Sequence, residues 1–175
     1  MPSPLLHRAL LAPALAVLAL GATAGAASAH DQRLVVRGDA TATDGPCDAR
    51  GCRVDLDDGR FRGTPVGSGA YRARLRIAVG DTFPNGEGGI CAPLEGRIVL
   101  GSGTPDRLVL GVAGDSCQDG SGALETASFT GLARFAVQAG TGRYAGARGS
   151  GVASLAEDAA NHHRITLIGR VAAHR

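Results

Sequence analysis

The groups in this 175-residue chain that could do chemistry are few and scattered. They are five histidines, the triplet Gly114-Asp115-Ser116, the aspartates Asp55, Asp57 and Asp58, four cysteines, and arginines that include Arg60, Arg62, Arg72, Arg74 and Arg76. A histidine at a free amino terminus can chelate copper through its α-amine and imidazole, and His30 would hold that place if a leader ended at Ala29. A copper oxygenase also needs a second imidazole, from His162, His163 or His174, and usually an aromatic platform for a polysaccharide. The chain has no tryptophan, so His162-His163 is read instead as a solvated turn before the last strand.

The other candidates weaken on inspection of their spacing. Gly114-Asp115-Ser116 has the residues of an esterase block, but it opens no strand-to-helix unit and no Gly-x-Ser-x-Gly elbow is present. The three aspartates before Gly59 miss the calcium-loop spacing, and no downstream glutamate completes the set. The glycine run Gly140 to Gly151 lacks the Gly-Lys-Ser/Thr ending of a phosphate loop. No catalytic residue, metal ligand or cofactor is expected. The arginines could form a polyanion or phosphate site. The preferred alternative is a solvated wall paired with Asp55 and Asp57, whose charges cancel the field.

Four cysteines admit three pairings. The preferred one joins Cys91 to Cys117 across a hairpin and Cys47 to Cys52 in a small ring. Zinc is disfavoured because paired C-x2-C spacing is missing. Disulfides imply an oxidising compartment, which agrees with the amino terminus. Residues 1–29 have a positive residue at Arg8, an apolar run from Ala9 to Leu20 and the small-residue site Ala27-Ser28-Ala29. That is the pattern of a signal peptide cleaved after Ala29, too short for a membrane span. A secreted mature chain of 30–175 without a membrane span is therefore expected. Its seventeen arginines, with no lysine, face sixteen acids. So slight an excess argues against a nucleic-acid partner.

The elements that must position these groups are strands. Tyr71, Ala73, Leu75, Ile77 and Val79 alternate with Arg72, Arg74 and Arg76, which is a period of two. Similar segments run over Leu34–Ala42, Arg53–Asp57, Arg60–Thr64, Arg97–Gly101, Leu108–Val112, Phe129–Val137, Gly151–Leu155 and Arg164–Ala172. Asp58-Gly59 reads as a hairpin turn, and Asp115–Gly122 as a polar loop. Gly140, Gly142, Gly146 and Gly149, with Tyr144 as a packing anchor, form a tight corner between two strands. The fold expected is all-β, a single antiparallel barrel of about eight strands following the cleaved leader helix.

Several of these corners carry a likeness to a known family. They are Phe61-Arg62-Gly63-Thr64-Pro65-Val66-Gly67-Ser68-Gly69-Ala70-Tyr71, Cys91-Ala92-Pro93 with Gly96, Cys117, Phe129-Thr130-Gly131, and Gly140-Thr141-Gly142-Arg143-Tyr144-Ala145-Gly146-Ala147-Arg148-Gly149. Through them the chain resembles bacterial secreted proteins of the allene-oxide-cyclase-barrel type and, more distantly, plant dirigent proteins, with Arg148 placed like the arginine of a dirigent Ala-Arg-Gly. The resemblance implies an eight-stranded barrel, often a homo-oligomer, whose interior holds a small hydrophobic ligand. Tyr71 is the inward polar group expected to touch it. The function expected is that of a secreted binding or structural module. The alternative is a cyclase-like or dirigent-like enzyme that shapes a reactive intermediate inside the barrel.

Overall fold

A computed structural model of the chain describes residues 30–86, 88–118, 129–158 and 160–173. Residues 1–29, where a leader is expected, and His174 lie outside the described residues. Ten strands lie among the described residues, in order: β1 (His30–Thr41), β2 (Thr43–Asp48), β3 (Gly51–Thr64), β4 (Gly67–Ile77), β5 (Phe83–Pro84), β6 (Ile90–Leu100), β7 (Leu108–Gln118), β8 (Phe129–Gly140), β9 (Arg148–Glu157) and β10 (His162–Ala173). Every pairing is antiparallel. The order β1-β10-β9-β8-β7-β6-β4-β3 returns to β1 through a β1–β3 ladder, so eight strands close a barrel. The short β2 and β5 extend β3 and β6 at one end.

Alternation decides which side chains fill the barrel. Leu34, Val36, Leu56, Tyr71, Ile98, Leu100, Leu108, Leu110, Ile165 and Leu167 are all at most 2% exposed, each on the inward register of its strand. An eight-stranded barrel has an interior just wide enough for side chains to fill. Two rings are seated there by the same device. The Phe135 ring on β8 lies over Gly151 and Gly169, which face it across β9 and β10. A β-carbon added to those glycines would stand 2.6 Å and 2.7 Å from ring atoms. The Tyr71 ring on β4 lies likewise over Gly59 on β3 and reaches Gly38 on β1.

Three sequence expectations are corrected. Asp58-Gly59 makes no hairpin: β3 runs through it, and the register shifts between Leu56 and Gly59. The inward positions change parity there, from Val54 and Leu56 to Gly59 and Phe61, and a bulge of Asp57 and Asp58 absorbs the extra residue. The reversal comes at Pro65-Val66 instead. Asp115 to Gln118 belong to β7 and not to a loop, because Cys117 stands directly opposite Cys91. The remainder of that expected loop, from residue 119, lies outside the described residues. His162 and His163 start β10, and His163, in register with inward Ile165, is 5% exposed.

Both expected disulfides are present, Cys47–Cys52 between β2 and β3 and Cys91–Cys117 between β6 and β7. They brace the same end of the barrel. Removing the Cys91–Cys117 bridge with paired alanines is expected to cost about 3.5 kcal/mol on loop-closure entropy, against roughly 2 for the smaller ring. Gly59→Ala, which drives a methyl into the Tyr71 ring, is expected to cost about 1–3 kcal/mol. Phe135→Ala should cost about 3–5 kcal/mol. Urea unfolding measures all of these, and an unmoved midpoint for Phe135→Ala would contradict the packing described.

Candidate functional site

The structure separates most of the residues that could have acted together. His30 pairs with Ala173 at one end of β1, and Thr41 pairs with His162 at the other. Eleven residue steps of strand hold His30 and His162 roughly 35 Å apart, so the two cannot share an ion. Asp115 and Ser116 are neighbours on β7 and face opposite sides, Asp115 outward and Ser116 buried at 9% exposure. Among the described residues no group of three or more histidine, cysteine, aspartate or glutamate side chains is placed to hold a metal.

Tyr71 points into the barrel as alternation predicts, and it is fully buried. Its hydroxyl has no hydrogen-bond partner among the described residues. Burial, and secondarily the nearby Asp39 charge, push its phenol well above the ordinary value of 10.0. The ring is hemmed in by Gly38, Gly59 and the surrounding aliphatic side chains, so it serves the packing of the core. Towards the disulfide-braced end, a cleft lined by Ile77, Leu94, Ser116, Phe129, Glu157 and His163 has a volume of about 20 Å³, room for one water and no more. There His163 Nε2 stands 3.6 Å from Glu157 Oε1 and has no hydrogen bond among the described residues.

The opposite mouth is closed by the glycine corner. Gly140 ends β8, a 3₁₀ turn spans Gly142–Tyr144, and Gly149 lies within β9. Gly142 has φ +57°, and an added β-carbon would collide with Asp106 Oδ1. Asp106 uses that space to accept from the Arg143 amide at 3.0 Å. Thr141 Oγ1 donates to Pro105 O at 2.5 Å and accepts from the Arg107 amide at 3.2 Å. Arg143 then reaches across the mouth, with Nη2 donating to Val66 O at 3.0 Å and its guanidinium 4.9 Å from the Tyr144 ring centre. Tyr144, Val66 and Ala147 are buried beneath. Gly146, at φ +71°, completes the reversal.

Another concave surface lies on the outside of the barrel wall. An open trough of about 770 Å³ runs over the outer face of β4, β6 and β7, lined by Arg53, Arg72, Arg74, Arg76, Arg97 and Arg107. Val99, Ala113 and Gln138 line it between the charged groups. Gln138 from β8 lies across Gly111 so closely that a β-carbon there would strike its amide. Some of the charge is answered: Arg53 Nε is 2.9 Å from Asp55, Arg74 Nε 4.0 Å, Arg72 Nε is 3.9 Å from Asp57, and Arg76 Nη1 is 2.6 Å from Asp48. The Arg50 amide, and then Arg76, hold the Asp48 carboxyl below its usual range. Arg97 and Arg107 enter none of the ion pairs found among the described residues.

The expected basic stripe is thus partly redrawn. Asp55 and Asp57 do pair with Arg74 and Arg72, but Arg60 and Arg62 lie beyond the bulge and outside the trough lining. Arg97, Arg107, Arg53 and Glu95 take their place. The alternation of Glu95, Arg97 and Val99 with inward Leu94, Ile98 and Leu100 was the available signal for two of them.

No family model, curated protein or solved structure matches the chain.

The buried phenol fixes a pH dependence. Its folded-state pKa lies above the unfolded value, so unfolded chains lose the proton first and stability, full below about pH 10, falls as pH rises beyond it. Tyr71→Phe is expected to flatten that alkaline decline. At neutral pH it should leave stability equal or higher by about 1–3 kcal/mol, since an unpaired hydroxyl is removed. A folded-state absorbance titration showing Tyr71 ionising at an ordinary value would disprove its burial.

Proposed function

We propose that this chain is an exported, disulfide-braced barrel that acts as a binding module and holds an anionic ligand along its outer arginine trough. The observation that carries the reading is the placement of six arginines along one trough, two of them without an acidic partner among the described residues. Guanidinium forks suit carboxylate, sulfate and phosphate oxygens in a two-pronged geometry that lysine cannot match, and this chain uses arginine alone. Like charges also stand directly opposite one another across strands, Arg53 with Arg76 and Arg74 with Arg97. Such pairs oppose folding, and a bound anion would relieve them.

Export is supported by the leader pattern of residues 1–29 and by two disulfides, which suit an oxidising compartment. The resemblance to allene-oxide-cyclase-barrel proteins belongs to the same proposal, and a closed eight-stranded barrel is the fold it implies. Its other implication, a small hydrophobic ligand or reactive intermediate inside, has the unpartnered Tyr71 hydroxyl in its favour. Such a guest would have to displace the Tyr71 ring from Gly38 and Gly59, so the outer trough is the better supported site.

Calorimetric titration with inorganic tripolyphosphate tests the reading. Binding is expected at about 0.01 M ionic strength and should weaken steeply by about 0.15 M, as the screening length shortens. Arg97→Ala and Arg107→Ala should each weaken it about fivefold, the scale of an exposed ion pair. No heat at low salt, or unchanged affinity in the double variant, would rule the trough out.

A further inference from the structure

We infer that the ligand of the trough is an acidic polysaccharide chain, carrying carboxylate or sulfate groups between hydroxyl-bearing positions; this rests on the anion-binding reading above. The first support is the layout of charge. Arg72, Arg74 and Arg76 recur at every second residue of β4, about 7 Å apart. Arg97 stands directly opposite Arg74, Arg107 lies at one end and Arg53 opposite Arg76 at the other. Cationic groups spread over roughly 20 Å of strand match a chain with repeated anionic groups better than a single compact anion.

The second support is the one acid in the trough lining. Glu95 lies directly opposite Arg76, yet Arg76 turns to Asp48, and Glu95 enters none of the ion pairs found among the described residues. A carboxylate accepts hydrogen bonds and donates none when ionised. It therefore repels a polyphosphate and receives a ligand that brings hydroxyl donors between its acid groups. Gln138 and Ser102, also in the lining, can exchange hydrogen bonds with the same hydroxyls.

The test compares ligands on the full chain and on Glu95→Ala by calorimetry at low salt. The probes are an oligouronate, a sulfated oligosaccharide, a neutral oligoglucan of equal length, a single-stranded oligonucleotide and tripolyphosphate. The first two separate the sources of negative charge, and binding of either one supports the inference provided the neutral chain binds at least about tenfold more weakly. Glu95→Ala should then weaken the acidic saccharide about threefold and tighten tripolyphosphate, because the same change removes an acceptor for one and a repulsion for the other. Tightening of both ligands, equal binding of the neutral chain, or tighter binding of the oligonucleotide overturns the inference while leaving anion binding in place. Failure of tripolyphosphate to bind the unaltered chain at low salt removes the anion-binding reading as well.

Discussion

The seating of two aromatic rings on glycine pairs is the contact from which the rest of the barrel follows. Eight strands enclose a fixed, narrow volume, and a large ring can lie across it only where neighbouring strands present no β-carbon. Phe135 lies over Gly151 and Gly169, and Tyr71 over Gly59 and Gly38. The two sets occupy adjoining arcs of the wall, β8 to β10 and β4 through β3 to β1, which meet at the β1–β10 ladder. Each ring spans three strands and so locks their relative register, since a slip of one residue would put a side chain where the glycine stands. The bulge at Asp57-Asp58 serves the same end, because without it Gly59 and Phe61 would face outward.

A filled interior leaves the outer wall as the surface proposed for binding. In a barrel with a cavity, inward polar groups select a guest. Here the fully buried Tyr71 hydroxyl has no partner among the described residues, and its burial keeps the phenol neutral. The outer wall of β4, β6 and β7 instead gathers arginines in direct cross-strand opposition. Asp48, Asp55 and Asp57 answer part of that charge from β2 and β3, which keeps the wall compatible with folding while leaving Arg97 and Arg107 outside the ion pairs found among the described residues. Arginines at mid-strand on the outer face are also the reverse of the apolar band that a lipid-facing barrel presents.

The two ends are held by different means. At one, cystines join directly opposed residues of β2–β3 and β6–β7. At the other, hydrogen bonds link three reversals: Thr141 and the Arg143 amide tie the glycine corner to Pro105 and Asp106, and the Arg143 guanidinium ties it to Val66. Tyr144 beneath that web plugs the mouth. The corner is therefore a closure device, and its glycines answer to close approach and positive φ, with no phosphate-loop geometry.

Local information in the chain sufficed for the class of fold, the inward placement of Tyr71, Ala73 and Leu75, the outward arginines of β4, the glycine corner and the preferred cysteine pairing. All of these depend on period-two alternation, turn chemistry or short loops, which operate between residues close in sequence. The Asp58-Gly59 reversal failed because a turn pair and a bulge look alike until the partner strand shows which register the core requires. His163 was misplaced for a related reason: its inward direction is inherited from Ile165, and only a strand begun two residues earlier carries that parity to it. The trough depended on sequence-distant partners from the outset. Arg53, Arg74, Arg97 and Arg107 come from separate strands and a turn, and their neighbourhood exists only because barrel closure sets β3, β4, β6 and β7 side by side. Side-chain direction is a local property of a strand, whereas adjacency between strands is settled by the volume they must jointly enclose.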